Sequence, residues 1–228
     1  MTDKPFDAFA HDYDELLKDP LRDRFASDSD FFIRQKCRVV ERRLRSMFSP
    51  GKSLRVLDAG CGLGRALSYF NTGIRAFGSD VSQAMLRHAA GRPVVVQESF
   101  DLPFADGTFD AAYAFCIYHH MPDEHHVRHL RELRRVVAPG GEVMVFEHNP
   151  HNPVTARIFA RAPIDRGCHM TPPATLRSRF REAGFANVTH GYLLFVPESF
   201  YPALGFLERA LQWLPLGGQY FVAGRNVR

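Results

Sequence analysis

A chain of 228 residues with 45% hydrophobic and 24% charged side chains carries enough apolar content to bury one sizeable core, which excludes wholesale disorder, and is short for two independent domains. The formal net charge of +4 comes mostly from arginines scattered along helical stretches, such as Arg128, Arg131, Arg134 and Arg135, without the base-stacking aromatics of a nucleic-acid footprint, so no nucleic-acid partner is expected. Cys37, Cys61, Cys116 and Cys168 lack C-x-x-C spacing, the N-terminus has no apolar h-region and no run could span a bilayer; a cytoplasmic protein with reduced thiols is expected.

A single domain over residues 1–228 is expected, with a helical cap over 1–50, a core over 51–147 and an elaboration over 148–228. From Phe31 to Phe48, FFIRQKCRVVERRLRSMF spaces its apolar residues for an amphipathic helix that Ser49-Pro50-Gly51 closes. Leu54 to Ala59 predicts a short strand ending in glycines, followed by a helix over Leu63 to Phe70. A strand over Ile74 to Ser79, a helix over Gln83 to Ala90 and strands over Val94 to Gln97 and Phe109 to Phe115 come next. A helix over Glu124 to Val137 and a strand over Glu142 to Glu147 follow, with Pro139-Gly140-Gly141 as a sharp stop between them. Such alternation means right-handed crossovers and a parallel sheet. Residues 148–173, rich in proline, histidine and glycine, read as a loop or lid. A helix over Pro173 to Ala183 and strands over Asn187 to Val196 and Gln219 to Gly224 complete the chain, and the stretch between those strands, with Phe200, Phe206 and Trp213, reads as a helical insert.

The most informative stretch is Val56-Leu57-Asp58-Ala59-Gly60-Cys61-Gly62-Leu63-Gly64. Its glycines let the chain turn tightly off a strand and let a ligand approach the backbone. Asp80 ends the second strand about twenty residues further on, where an acid can accept hydrogen bonds from ribose hydroxyls. Asp58, just before the glycines, would repel a pyrophosphate and attract a cationic, phosphate-free nucleoside. The charge logic favours S-adenosylmethionine over NAD.

VLDAGCGLG, GSDVSQAML, ESFDLPFADGTFDAAYAFCIYHHMPD and LRRVVAPGGEVMVFEHN resemble, in order and spacing, the motifs of class I S-adenosylmethionine-dependent methyltransferases, in particular the type 11 small-molecule branch. The resemblance implies an α/β fold: a Rossmann-like, seven-stranded, mostly parallel sheet with its last strand antiparallel and helices on both faces. It implies S-adenosylmethionine as cofactor, with Asp58, Gly60, Cys61 and Gly62 along its methionine portion and Asp80 at the ribose. Val81 would pack on the adenine, Glu98, Ser99 and Phe100 would reach the base, and Cys116 would face the cofactor through its backbone. Glu98 departs from the family, which usually has Asp there. The opening FDAFAHDYD resembles the family's N-terminal helix, so Tyr13 is expected to fold over the cofactor. The stretches EHNPHNPVTARIFARAPID and LERALQWLPLGGQYFVAGR are similar to a bacterial subset associated loosely with modification of glycans or lipids.

Methyl transfer needs mainly alignment, plus a general base where the acceptor arrives as an alcohol. His119, His120 and His148 follow the fourth and fifth strands at the carboxyl edge of the sheet and are the candidate bases. His125 and His129 share a helix face at i, i+4, yet nothing fixed completes a metal set, so no metal is expected. The acceptor is expected to be a small molecule methylated at oxygen ahead of nitrogen: a glycan, a lipid or a secondary metabolite. The alternatives are a non-catalytic S-adenosylmethionine-binding protein and an NAD-dependent oxidoreductase. The apolar insert is read as core packing or a dimer contact ahead of a membrane-surface contact, and the chain as a monomer or homodimer.

Overall fold

The computed structural model describes residues 5–71, 73–89 and 91–227. Its strands are β1 (Leu54–Ala59), β2 (Ile74–Asp80), β3 (Val94–Val96), β4 (Phe109–Phe115), β5 (Val137–His148), β6 (Ala186–Leu193) and β7 (Gln219–Arg225). They form one seven-stranded sheet in the order β3-β2-β1-β4-β5-β7-β6. Strands β1 to β5 are parallel, and β7 runs antiparallel to both β5 and β6, as the resemblance implied.

The period-two alternation of each strand sends side chains into two separate cores. Val56, Tyr113, Phe146 and Phe221 face one side, with Val39, Val40 and Leu44 of helix α3 (Ser29–Met47). Leu57, Ala112, Val143 and Val222 face the other, with Leu130 and Leu133 of α5 (His126–Val136) and Leu176 and Phe180 of α7 (Pro173–Glu182). A sheet covered on both faces explains why its central strands are apolar almost throughout.

Helices α1 (Tyr13–Leu16) and α2 (Pro20–Phe25) precede α3, and α4 (Gln83–Arg87) follows β2. Asp19 caps α2 by accepting from the Leu21 and Arg22 amides, with Pro20 in the first turn. Asp28 caps α3 in the same way through the Asp30 amide.

Four expectations are corrected. The helix expected over Leu63 to Phe70 is only a 3-10 turn, Arg65–Ser68, because the left-handed Gly64 (φ 69°) leads into it and Glu41 seizes the Asn71 amide and side chain, drawing the chain into β2. The helix expected over Gln83 to Ala90, whose last residue lies outside the described ones, ends at Arg87. Pro139-Gly140-Gly141 does not separate helix from strand: β5 starts at Val137 and carries the three residues as a bulge, shown by the register jump from Phe109↔Val137 to Ala111↔Glu142. Asn226 secures the bulge by exchanging backbone hydrogen bonds with Gly140 and Gly141. The lid is not a bare loop; it holds α6 (Pro153–Phe159) and a 3-10 turn at Pro163–Asp165. Asn152-Pro153 is the overlooked signal, because Asn152 caps the Val154 and Thr155 amides and the proline sits in the first turn.

Strand β6 stops three residues early because the Glu208 carboxylate accepts from the amides of Leu194, Phe195 and Val196 at 2.8–2.9 Å. The insert is helical as expected, with α8 (Tyr201–Leu204) and α9 (Leu207–Ala210), and it leaves Phe206 and Trp213 exposed. Among the described residues no helix is long and apolar enough to cross a membrane.

Candidate active site

The carboxyl ends of the parallel strands open into a cavity of about 1090 Å³, roofed by α1, α2, the lid and the insert. At its floor the chain leaves β1 through Gly60 (φ 77°) and Gly62 (φ 49°), in the left-handed region that favours glycine. The Gly60 and Cys61 amides donate to the Ser79 carbonyl at 2.7 and 3.0 Å, tying the turn to β2. A Cβ on Gly60 would lie 2.8 Å from the Ile117 side chain, whereas one on Gly62 would enter open space. Space on the cavity side of Gly62 is where a ligand can meet backbone.

Asp58 lies beneath the turn, 2% exposed, and its Oδ1 has no hydrogen-bond partner among the described residues. Burial pushes its carboxyl up to about 8; the Tyr113 hydroxyl and Lys36 pull the other way, while the Asp80 charge adds to the rise. Asp80 accepts from the Gly62 amide at 2.7 Å through Oδ2 and from the Ser82 amide at 2.8 Å through Oδ1. Burial raises its pKa, and those amides oppose the rise. Each oxygen keeps a second lone pair for a ligand hydroxyl.

Val81, Ser99 and Phe100 line the same cavity. Glu98 does not: it is exposed, and Gln97, its neighbour, is buried and faces in with an unpartnered Oε1 while its Nε2 donates to the Ser99 carbonyl at 2.9 Å. The Glu98 side chain, expected to reach the base, thus does not line the cavity, and that of its neighbour Gln97 does. Ser99 (φ 56°) and Cys116 (φ 55°) both hold left-handed backbone without being glycine, and strain of this kind clusters at functional sites. Tyr13 also lines the cavity, and burial pushes its hydroxyl up to about 12.

Past Cys116 the histidines gather. The buried His119 bonds Glu147 Oε2 through Nδ1 at 2.7 Å and Asp165 Oδ1 through Nε2 at 3.2 Å. Burial disfavours its charged form, but the two carboxylates outweigh burial and hold it at about 9. At His120 and His148 burial, together with the charge of His119, outweighs the pull of the same carboxylates and lowers both to about 4. His148 is therefore neutral at physiological pH and able to accept a proton. The pair singled out by helix spacing separates: His125 stacks against Phe100, whereas His129 bonds the Tyr118 hydroxyl through Nδ1 at 2.9 Å.

Residues 57–145 match the family model described as a methyltransferase domain. The chain carries a class I S-adenosylmethionine-dependent methyltransferase domain. Over 152 residues it is 30% identical to the 27-O-demethylrifamycin SV methyltransferase of Amycolatopsis mediterranei, a match covering 61% of this chain and 55% of that one. Over 135 residues it is 35% identical to the probable tRNA methyltransferase 9B of Mus musculus, covering 58% of this chain and 30% of that protein. The chain thus spans about half or less of the length of these curated relatives. A chain from the complex between the Haloferax volcanii Trm112 methyltransferase activator and a methyltransferase superposes with a TM-score of 0.65 at 22% identity, covering 98% of both, which establishes the fold.

This methyltransferase domain fits its nucleoside on the structure's own terms. The buried, unpartnered Asp58 Oδ1 suits an ammonium, Asp80 suits ribose hydroxyls, and the open side of Gly62 admits the methionine portion. The match to a methyltransferase domain favours this nucleoside over the dinucleotide alternative. All the sequence-named residues except Glu98 line one cavity: Tyr13, Asp58, Gly60, Cys61, Gly62, Asp80, Val81, Ser99, Phe100, Cys116, His119, His120 and His148.

Sequence reasoning missed Lys36, Gln97, Glu147 and Asp165. Lys36 was absorbed into an amphipathic helix, yet it is only 6% exposed and lines the cavity, with Nζ 4.8 Å from the Phe115 ring centroid and 3.7 Å from Cys116 Sγ. A lysine on the buried face of α3 was the available signal. Asp165 carried none, because only the fold of the lid brings it to His119.

Proposed function

We propose that this chain transfers the methyl group of S-adenosylmethionine to a hydroxyl oxygen of a largely apolar small molecule. The observation that carries the reading is one cavity with two unlike ends. Its floor holds Asp58 and Asp80, and its outer walls are mainly aliphatic and aromatic, from Leu17, Leu21, Phe25 and Phe32 of the cap to Ile158 and Ile164 of the lid, with Arg22 and the Asp19–Arg161 pair among them. At about 1090 Å³ it exceeds the usual range for a single small ligand, so there is room for a nucleoside and an acceptor together.

S-adenosylmethionine brings an activated methyl group on a sulfonium; the residues of the chain supply alignment, exclusion of water and a proton acceptor. Asp58 would hold the ammonium, Asp80 the ribose, and Gln97 Oε1 the adenine amino group. Tyr13 and the cap would close the cavity against water. His148, neutral and on the cavity wall, would take the proton of an acceptor hydroxyl. His119, with both ring nitrogens engaged by carboxylates, would position rather than accept.

The rifamycin relative is named for a 27-O-demethylated compound, which supports oxygen as the acceptor atom. The tRNA relative is the contrary case. Its reading finds less support, because arginines of this chain are engaged locally: the exposed Arg128 with Asp101, and the half-buried Arg135 with Glu132 and Asp106.

The test is a methyl-transfer screen with labelled S-adenosylmethionine against apolar alcohols and phenols, hydroxylated lipids, glycosides, amines and bulk tRNA. Transfer to hydroxyls of apolar acceptors is expected. Labelling confined to tRNA or to amines would refute the acceptor class.

A further inference from the structure

We propose that His119, His120 and Asp165 form a binding site for one divalent transition-metal ion, with zinc the best match, at the acceptor end of the cavity. His119 Nε2 and His120 Nε2 lie 3.2 and 3.4 Å from the same oxygen, Asp165 Oδ1, and the three donor atoms all fall within 4.8 Å of one another. A tetrahedral zinc ion with nitrogen and oxygen ligands at about 2.0–2.1 Å sets neighbouring donor atoms about 3.3 Å apart. The spacing is that of a shared ion as much as of direct hydrogen bonds.

The outer contacts point the same way. A metal-bound histidine offers one ring nitrogen and has the other held by an acceptor that fixes tautomer and ring orientation. His119 Nδ1 is held by Glu147 Oε2 at 2.7 Å, and Glu147 is itself fixed through Oε1 by the Tyr118 amide at 2.8 Å. His120 Nδ1 is held by Cys168 Sγ at 3.3 Å. Both rings therefore turn Nε2 toward Asp165, and two independent outer partners aim at one point. Phe6 packs edge-on against His120 at 4.8 Å and limits its rotation.

Placement decides what such an ion can do. The two histidines sit in the turn after β4 and Asp165 in the turn after α6, and all three line the cavity. Three protein ligands with a fourth position facing a cavity make an open site rather than a sealed structural one. Two imidazoles and one carboxylate are borderline donors, which favour zinc and its transition-metal neighbours over magnesium or calcium. Such an ion would bind an acceptor oxygen and acidify its hydroxyl. That use rests on the proposed methyl transfer to oxygen, whereas ion binding stands without it.

The full chain, without a histidine tag and stripped with chelator, is titrated with zinc chloride by calorimetry and with cobalt(II) chloride by visible absorption. One saturable site per chain is expected, with d–d bands of a low-symmetry cobalt centre. Asp165→Asn and His120→Gln should each weaken zinc at least about tenfold. S-adenosylhomocysteine binding, measured in parallel, reports whether each variant is folded and tests the cofactor reading separately. Should Asp165→Asn fail to fold, His120→Gln on the cavity wall gives the same readout. Absence of saturable binding, or binding unchanged by a substitution in a folded variant, would overturn the site and leave His119 as a counter-charge for two carboxylates.

Discussion

Replacing Asp58 with asparagine should stabilise the protein in the absence of cofactor and weaken its hold on the cofactor, and both effects have one electrostatic origin. The carboxyl is 2% exposed, one oxygen has no partner, and its pKa is raised from 3.8 to about 8. Between those pH values the native chain keeps a proton that the unfolded chain has released, so stability from this group is full near pH 4, falls as pH rises and is lost above about pH 8. At 1.36 kcal/mol per pKa unit the full rise sets an upper limit of ~6 kcal/mol, and relaxation with water in the cavity leaves about 1–3 kcal/mol. Asparagine keeps the shape and removes the charge. Urea unfolding at pH 8.5 without ligand should show the variant more stable by about 1–3 kcal/mol, and the advantage should shrink toward pH 5. Calorimetry with S-adenosylhomocysteine, which retains the ammonium, should show affinity at least about tenfold lower, matching loss of a charge-assisted contact of about 1.5–3 kcal/mol. A variant that is less stable at pH 8.5, or that binds S-adenosylhomocysteine as tightly as the parent, would show that the turn does not rely on this charge.

Asp80→Ala should cut S-adenosylhomocysteine affinity at least about tenfold, by loss of ribose hydrogen bonds and of the anchor for the Gly62 amide; calorimetry reads it directly. Gln97→Ala should lower that affinity by about 1 kcal/mol, whereas the exposed Glu98→Ala should leave it within twofold, and the reverse order would return the base contact to Glu98. Glu208→Ala should cost about 2–4 kcal/mol in urea unfolding, because three amides lose a shared acceptor. Phe180→Ala, deep between α7 and the sheet, should cost about 3–5 kcal/mol with little effect on cofactor affinity.

Where local chemistry decides the outcome, the sequence was sufficient. Strands β1 and β4 have the bounds their apolar runs predict, since glycines close one and a charged turn opens the other. Asp58, the glycine turn and Asp80 were legible because each lies at the end of a strand, where position in the chain fixes position in space. Glu98 and Gln97 show the limit: at a strand end side chains alternate, and one residue of uncertainty exchanges inside for outside. The turn at Arg65–Ser68 was read as a helix because Glu41 and Asp30, which hold Asn71 and Tyr69, belong to α3. The partners of His119 arrive from β5 and the lid, so no spacing rule could collect them.

The charges of the cavity fix which way a ligand can lie in it. Among the described residues no ion pair reaches Asp58 or Asp80, although cations stand nearby. Arg65 is committed to Asp14 and Asp30, and Lys36 rests on the Phe115 ring and Cys116 Sγ. At the other end one cation, His119, lies between two carboxylates, Glu147 and Asp165. What sets the floor apart is that no side-chain cation is paired there, so burial keeps Asp58 protonated up to about pH 8 until a cation is brought beside it. A ligand with one cationic end and one neutral end gains most by placing the cation against the turn, which leaves the space beside His148 and the apolar walls to a second molecule. On the proposed reading, the methyl donor is oriented by where the chain withholds its own cations, and the apolar walls are left for the acceptor.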